Sequence, residues 1–189
     1  MSKLLVSNNL TLDGVFEAPA KAPLETFVFA GWTEPYQSQE QNDYLAAGIS
    51  GGGALLLGRV TYEHMKAGWA KATGPVADFM NNATKYVAST TMKRATWKNT
   101  TLLKGDVVEA VAKLKRESDQ GLAVLGSGKL CQTLRKAGLI DEYSLLIFPL
   151  VLGKGKKFFA GGGPTALKLI ESKAFSSGVV LNTYVPDRK

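Results

Sequence analysis

At 189 residues, 45% hydrophobic and 21% charged, the chain has the composition of an ordinary globular protein with one full core, and it is short for two domains. Lysine and arginine outnumber aspartate and glutamate by 23 to 16, a formal charge of +7 that permits an anionic ligand; the basic residues are nonetheless scattered, not gathered into a stripe interleaved with aromatics, so nucleic acid is not the expected partner. One cysteine and one histidine exclude an intramolecular disulfide and leave too few ligands for a Cys/His zinc site, and no apolar stretch approaches the roughly 20 residues that span a bilayer.

The N-terminal MSKLLVSNNL is too short and too polar for a signal peptide, so the chain is expected in the cytoplasm, with a strand starting almost at once. That strand is predicted over residues 3–6 and 10–12, broken at the polar pair Asn8-Asn9, with a turn at Asp13-Gly14. Residues 18–36 carry Pro19, Pro23 and Pro35 among small residues and read as an irregular excursion. Residues 38–49 form a short helix candidate punctuated by Gly51, Gly52 and Gly53, and residues 54–57 a buried strand. Helical pieces follow at 61–66 and 76–83 around a Gly-Pro turn. Residues 85–88 read as a strand leading into Ser89-Thr90-Thr91, and 101–103 as another.

The clearest helix is 106–117, with Asp106 as its cap, Glu109 three residues on, and an apolar stripe of Val107, Ala110, Val111 and Leu114. A strand at 121–125 and a helix at 129–137 come next; Cys131, inside that helix, reads as a small buried apolar side chain. SLLIFPLVL at 144–152 is a long apolar strand whose Pro149 implies a bulge or an edge, and 175–185 closes the chain as a strand or hairpin. Strands alternating with helices give an α/β domain over residues 1–189, its central sheet mostly parallel and flanked by helices, with antiparallel strands at the C-terminus.

In such sheets ligands sit beyond the carboxyl ends of the strands. Three predicted strand ends carry groups suited to anions: Gly58, Arg59 and Thr61; Ser89, Thr90 and Thr91; and Gly126, Ser127, Gly128 and Lys129 ahead of a helix. Taken singly, each has a bland alternative as a solvated charge, a helix cap or a tight turn. Together they point to a nucleotide with two phosphate-bearing regions.

Five segments in order carry a family likeness: LTLDG at 10–14, LLGRVTYE at 56–63, YVASTT at 86–91, VLGSGK at 124–129 and LIDEYSLLIFPLVLGKG at 139–155. In these the chain resembles the dihydrofolate-reductase-like superfamily, and within it the reductase domain of riboflavin biosynthesis. The resemblance implies a reductase using NADPH, with no metal. It would place Arg59 at the 2′-phosphate, Thr61 at the phosphates, Ser89, Thr90 and Thr91 at the adenosine end, and Gly58, Gly126, Ser127, Gly128 and Lys129 around the pyrophosphate. Asp13 and Gly14 match the loop near the nicotinamide.

Hydride transfer to a C=N or C=O carbon of a small heterocyclic or carbonyl substrate follows, one resembling 5-amino-6-(5-phosphoribosylamino)uracil among the possibilities. The proton would come from Asp13, Asp43 or water. Phe16, Phe27, Trp32 and Phe148 offer a stacking wall or are simply core. Lys154, Lys156 and Lys157 are the candidates for a substrate phosphate. The folate-reducing relatives have a Gly-Gly pair joined by a cis peptide where this chain has Gly126-Ser127, so a cis bond is a weak expectation there. Dihydrofolate reduction itself, or a nucleotide-binding module without catalysis, are the alternatives. A homodimer is expected, paired through SLLIFPLVL or the final strand.

Overall fold

A computed structural model describes residues 1–50 and 53–187, with the side chains of residues 45–50 left aside. Eight strands form one sheet: β1 (Leu4–Thr11), β2 (Ala54–Gly58), β3 (Lys85–Ala88), β4 (Thr100–Leu103), β5 (Leu122–Leu125), β6 (Glu142–Phe148), β7 (Leu167–Ala174) and β8 (Val180–Pro186). Their order is β4-β3-β2-β5-β1-β6-β8-β7. From β4 to β6 all neighbours are parallel, and β8 and β7 add antiparallel. The helices are α1 (Gln39–Ser50), α2 (Arg59–Trp69), α3 (Pro75–Asn82), α4 (Val107–Glu117) and α5 (Gly128–Lys136), with one 3-10 turn at Glu34–Tyr36. This is the expected α/β class, a mostly parallel sheet flanked by helices with antiparallel strands added at one edge.

The buried strands read as unbroken apolar runs because helices cover the parallel sheet on its two faces. On one face Leu4, Val6, Leu56, Leu122 and Val124 pack against Val111 of α4 and Leu130, Cys131 and Leu134 of α5. On the other, Leu55, Leu57 and Val87 pack against Tyr62 of α2 and Met80 of α3. A third cluster joins Trp32, Phe148, Phe175 and Leu181, with Tyr44 of α1 against it. The Asp106 carboxylate caps α4, accepting from the amides of Val108 (2.8 Å) and Glu109 (3.0 Å). At the amino end of the sheet, the buried Lys115 ammonium holds Asp141 and donates to the Leu139 carbonyl (2.6 Å), while Asp141 accepts from the Leu4 amide (2.8 Å).

Four expectations need correction. The opening strand does not break at Asn8-Asn9: β1 is continuous, and Asn8 is buried in it. Pro149 is neither bulge nor edge; lacking an N–H, it lies just past the end of β6, which is paired on its two sides by β1 and β8. Neither SLLIFPLVL nor the final strand, β8, which is paired by β6 and β7, can therefore pair across a two-fold axis, and the free edges are β4 and β7. Finally, the C-terminal hairpin begins at Leu167, eight residues earlier than the predicted strand. Of the glycines proposed to end α1, Gly51 and Gly52 lie outside the described residues.

Candidate functional site

Neighbouring parallel strands β2 and β5 send their chains to opposite faces of the sheet, one into α2 and the other into α5. A crevice at the carboxyl ends of strands that part in this way is where open α/β sheets bind ligands. Neither helix has a side-chain cap, and neither has an acid in its first turn. The opening amides of the two helices and their positive dipole ends thus meet at one place, which suits an anion with more than one charged group.

Hydrogen bonds lock the two helix starts together. The Thr61 hydroxyl accepts from the Ser127 amide (3.0 Å), and the Ser127 hydroxyl accepts from the Gly58 amide (2.9 Å) while donating to the Leu125 carbonyl (3.0 Å). From beneath, the Asn8 side-chain amide donates to the Gly126 carbonyl (3.2 Å). Gly126 and Ser127 have φ of +58° and +55°, and a Cβ on Gly126 would lie 3.1 Å from the Thr61 methyl. The peptide between them is trans, correcting the cis expectation: two successive left-handed residues make the turn instead. Gly128 is required by close approach, since a Cβ there would sit 2.4 Å from the Phe16 ring.

Gly58, Thr61, Gly126, Ser127 and Gly128 therefore converge, as their places at the ends of two predicted strands suggested. The hydroxyls of Thr61 and Ser127, with the Gly58 and Ser127 amides that donate to them, are spent on holding the frame, so the groups that remain for an anion are the orphan amides of the first helical turns. Lys129 stands exposed on the first turn of α5. Arg59 opens α2, exposed and paired with Glu63 at 2.9 Å. An exposed i,i+4 pair of this kind is worth about 0.3–0.5 kcal/mol, a weak hold on the guanidinium. Next along the rim, beyond β3, the Ser89 hydroxyl accepts from the amides of Thr91 (3.2 Å) and Met92 (2.9 Å) to shape the turn, and Thr90 and Thr91 are exposed.

The proposed acids fare differently. Asp13 accepts from the Thr11 hydroxyl (2.6 Å) and the amides of Leu152 (3.2 Å) and Gly153 (3.0 Å), and Lys157 lies 3.6 Å away. The Thr11 bond first, then those amides, hold its pKa down at about 2 against the opposing effect of burial. A carboxylate ionised throughout the neutral range has no proton to give, so the structure makes Asp13 the anchor of its loop. Gly14 turns that loop with φ of +79°, donating to the Thr11 carbonyl (2.8 Å). Asp43 is exposed on α1 and bonded to the Gln39 side chain (2.7 Å), facing away from the sheet.

Among the aromatic residues, Phe148 is 1% exposed and Trp32 6%, each edge-on to the other at 5.2 Å: they are core, not a substrate wall. Phe16 remains beside the crevice, over Gly128 and edge-on to Phe158. Of the three lysines considered for a substrate phosphate, Lys156 pairs with Glu17 and Lys157 donates to the Asp13 carbonyl (2.8 Å), which ties them to the loops. One residue of the rim was not anticipated, Asn8, whose buried amide only tertiary structure reveals; Gln41 of α1, 6% exposed, is likewise buried, away from the rim's hydrogen-bond frame. Open depressions of about 260 and 540 Å³, lined by Arg135, Tyr143 and Thr165, lie at the other end of the sheet and carry none of these groups.

The sequence profile of the RibD C-terminal domain matches residues 2–181. Uncharacterized protein YyaP of Bacillus subtilis is 35% identical over 101 residues, covering 53% of this chain and 53% of that protein. In three dimensions, a protein assigned to riboflavin biosynthesis in Shewanella sp. PV-4 superposes with a TM-score of 0.70 at 20% identity, covering 98% of this chain and 99% of that one. The diaminohydroxyphosphoribosylaminopyrimidine deaminase/5-amino-6-(5-phosphoribosylamino)uracil reductase of Thermotoga maritima superposes with a TM-score of 0.66 at 15% identity, covering 98% of this chain and 56% of that protein. At such identities the superpositions establish the fold.

Proposed function

Because the chain belongs to the RibD C-terminal domain family, we propose that it is a cytoplasmic reductase that binds NADPH along the β2–β5 rim and reduces a small heterocyclic substrate. The observation that carries this reading is the pair of uncapped helix starts pinned to one another by Gly58, Thr61 and Ser127. The opening amides of α5, with Lys129, would hold the pyrophosphate, and Arg59 the 2′-phosphate. A planar guanidinium matches a phosphate with two parallel hydrogen bonds, and would favour NADPH over NADH. Thr90 and Thr91, beyond β3, stand where the adenosine end would reach.

When bound, the cofactor supplies hydride chemistry, and the protein's part is to place it. Phe16 covers the start of α5 and shields that end of the rim. With Asp13 held ionised and Asp43 exposed, neither of these two carboxyl groups is set to protonate the substrate, and solvent water is the donor. That counts against folate reduction proper and favours an acceptor that does not need ring protonation, such as an aminouracil of the kind named for the Thermotoga maritima enzyme.

The homodimer is proposed at the β7 edge, where Leu169 and Ile170 are 49% and 52% exposed on a strand paired on one side only, by β8. The test of activity is NADPH oxidation, followed by absorbance, across a panel of pterins, pyrimidines and carbonyl compounds. Turnover with a pyrimidine supports the reading; NADPH binding with no turnover on any member supports the non-catalytic module instead.

A further inference from the structure

Strands inside a parallel sheet are covered on two faces and run apolar throughout. β1 departs from that pattern on one face only. Leu4, Val6 and Leu10 are buried with α4 and α5. Leu5, Ser7 and Asn9, pointing the other way, are only half-buried, although β5 and β6 pair with the strand on its two sides. Asn8 spends its carboxamide on the Gly126 carbonyl. The Asn9 carboxamide and the Ser7 hydroxyl make no side-chain hydrogen bond among the described residues, and both keep accessible surface.

The two side chains floor one groove. Ser7 pairs with Leu125 of β5, and Asn9 with Leu146 of β6, so they share the face that carries α2. On that face the described apolar side chains gather in two clusters, one under α2 and α3 and one around Trp32 and Phe148, and the β1 strip belongs to neither. Asn9, two residues beyond the Ser7–Leu125 pair, stands level with Ser127. Thr61 and His64 are three residues apart on one flank of α2, and Thr61 meets Ser127, so His64 also faces the strip. The loop of residues 17–33 is drawn together at its base, where Trp32 donates to the Glu17 carbonyl (2.8 Å) and the Thr33 hydroxyl to the Pro19 carbonyl (2.6 Å). Its tip brings the Glu25 carboxylate 3.6 Å from His64 Nδ1. With Trp32 seated on Phe148 and Glu25 on α2, this loop bridges the two clusters across β1.

We propose that Asn9 is a specificity-determining residue that reads the ring lactam of a flat, neutral heterocycle, with the Ser7 hydroxyl as a second contact; the inference rests on the reductase reading. A lactam presents an N–H beside a C=O, the pair that a carboxamide matches through its oxygen and nitrogen together. Leu5, Ala123 and Leu125 flank the two polar groups, the mostly apolar lining with a few placed donors and acceptors that small-molecule sites have. Ser7 and Asn9 are about 7 Å apart along the strand, a span that one substituted ring bridges. The strip itself carries no charged side chain, which suits a neutral ring. A dinucleotide laid along the β2–β5 rim would end beside Asn9, and a substrate in the groove would lie against that end. Methylation of the ring nitrogens removes the N–H and sets a methyl group against the Asn9 oxygen.

The experiment is calorimetric titration of the full chain with diaminouracil and with its ring-N,N-dimethyl analogue, with and without saturating NADPH. Wild type is compared with Asn9→Leu, similar in size but apolar, and with Asn9→Ser, which stays polar but withdraws from the groove. The expected result is a preference of about tenfold or more for diaminouracil in wild type, lost in the two variants, with NADPH affinity unchanged. A preference retained in either variant, or absent from wild type, overturns the proposal and leaves Asn9 as a solvated side chain. A fall in NADPH affinity in the variants overturns it too, by giving the carboxamide to the cofactor. Failure of wild type to bind NADPH would sink the reductase reading separately, because the titration without cofactor still reports on Asn9.

Discussion

Ser127 tests the frame of the rim most sharply, because its backbone and its hydroxyl make opposite demands. The residue sits in the left-handed region, which costs a non-glycine residue about 1–2 kcal/mol. Its hydroxyl meanwhile satisfies the Gly58 amide and the Leu125 carbonyl inside a site where Ser127 is 8% exposed. Ser127→Ala keeps the strain and leaves those groups unpaired, a loss of about 1–3 kcal/mol. For a chain of this size that is a fall in melting temperature of about 2–12 °C. Ser127→Gly loses the same bonds but releases the strain, offset in part by about 0.4–1 kcal/mol of added unfolded-chain entropy, so it should lie above Ser127→Ala and below wild type. Thermal and urea unfolding of the three proteins gives the order directly. Equal stability of Ser127→Ala and wild type would mean the hydroxyl bonds are idle, and Ser127→Gly below Ser127→Ala would mean the turn is not left-handed.

Two further outcomes follow from buried cations. Lys115, 5% exposed at its side chain, is the partner of Asp141, and Lys115→Ala is expected to cost about 3–5 kcal/mol in urea unfolding while leaving NADPH affinity unchanged, since the pair lies at the far end of the sheet. Lys85 is fully buried, its ammonium donating to the carbonyls of Ala83 (2.6 Å) and Asn81 (3.3 Å) over the Trp97 ring; burial first, and then the Lys98 charge, lower its pKa from 10.5 to about 8. Between those two values the unfolded chain holds the proton that the folded one has lost, so this group makes stability rise with pH from about 8 towards 10.5. Unfolding of wild type and Lys85→Met across that range isolates the effect, which should be present in the first and absent from the second.

The central strands and the rim were legible because their causes are local. Apolar runs mark strands covered on two faces, and glycines and cations at strand ends mark a rim, wherever the rest of the chain goes. β7 was illegible for the opposite reason: LKLIESKA is an edge strand with most of its residues exposed on either face, so no apolar alternation announces it. Asn8 looked like a strand break because its partner, the Gly126 carbonyl, lies 118 residues away. Phe148 and Trp32 looked like a ligand wall because aromatic residues read alike in a core and in a cleft. Gln41 sits in a stretch, SQEQNDY, polar on every side; which residue turns inward depends on where the hairpin of β7 and β8 lands against the helix.

The claim beneath all of this is that the starts of α2 and α5 jointly hold a dinucleotide whose extra phosphate meets Arg59. Calorimetric binding of NADPH and NADH to wild type and to Arg59→Ala measures it most directly. Loss of a charge-assisted phosphate contact costs about 1.5–3 kcal/mol, so NADPH affinity should fall about ten- to a hundredfold in the variant while NADH affinity stays the same. Equal weakening of the two cofactors, or a wild type that does not distinguish them, would contradict it.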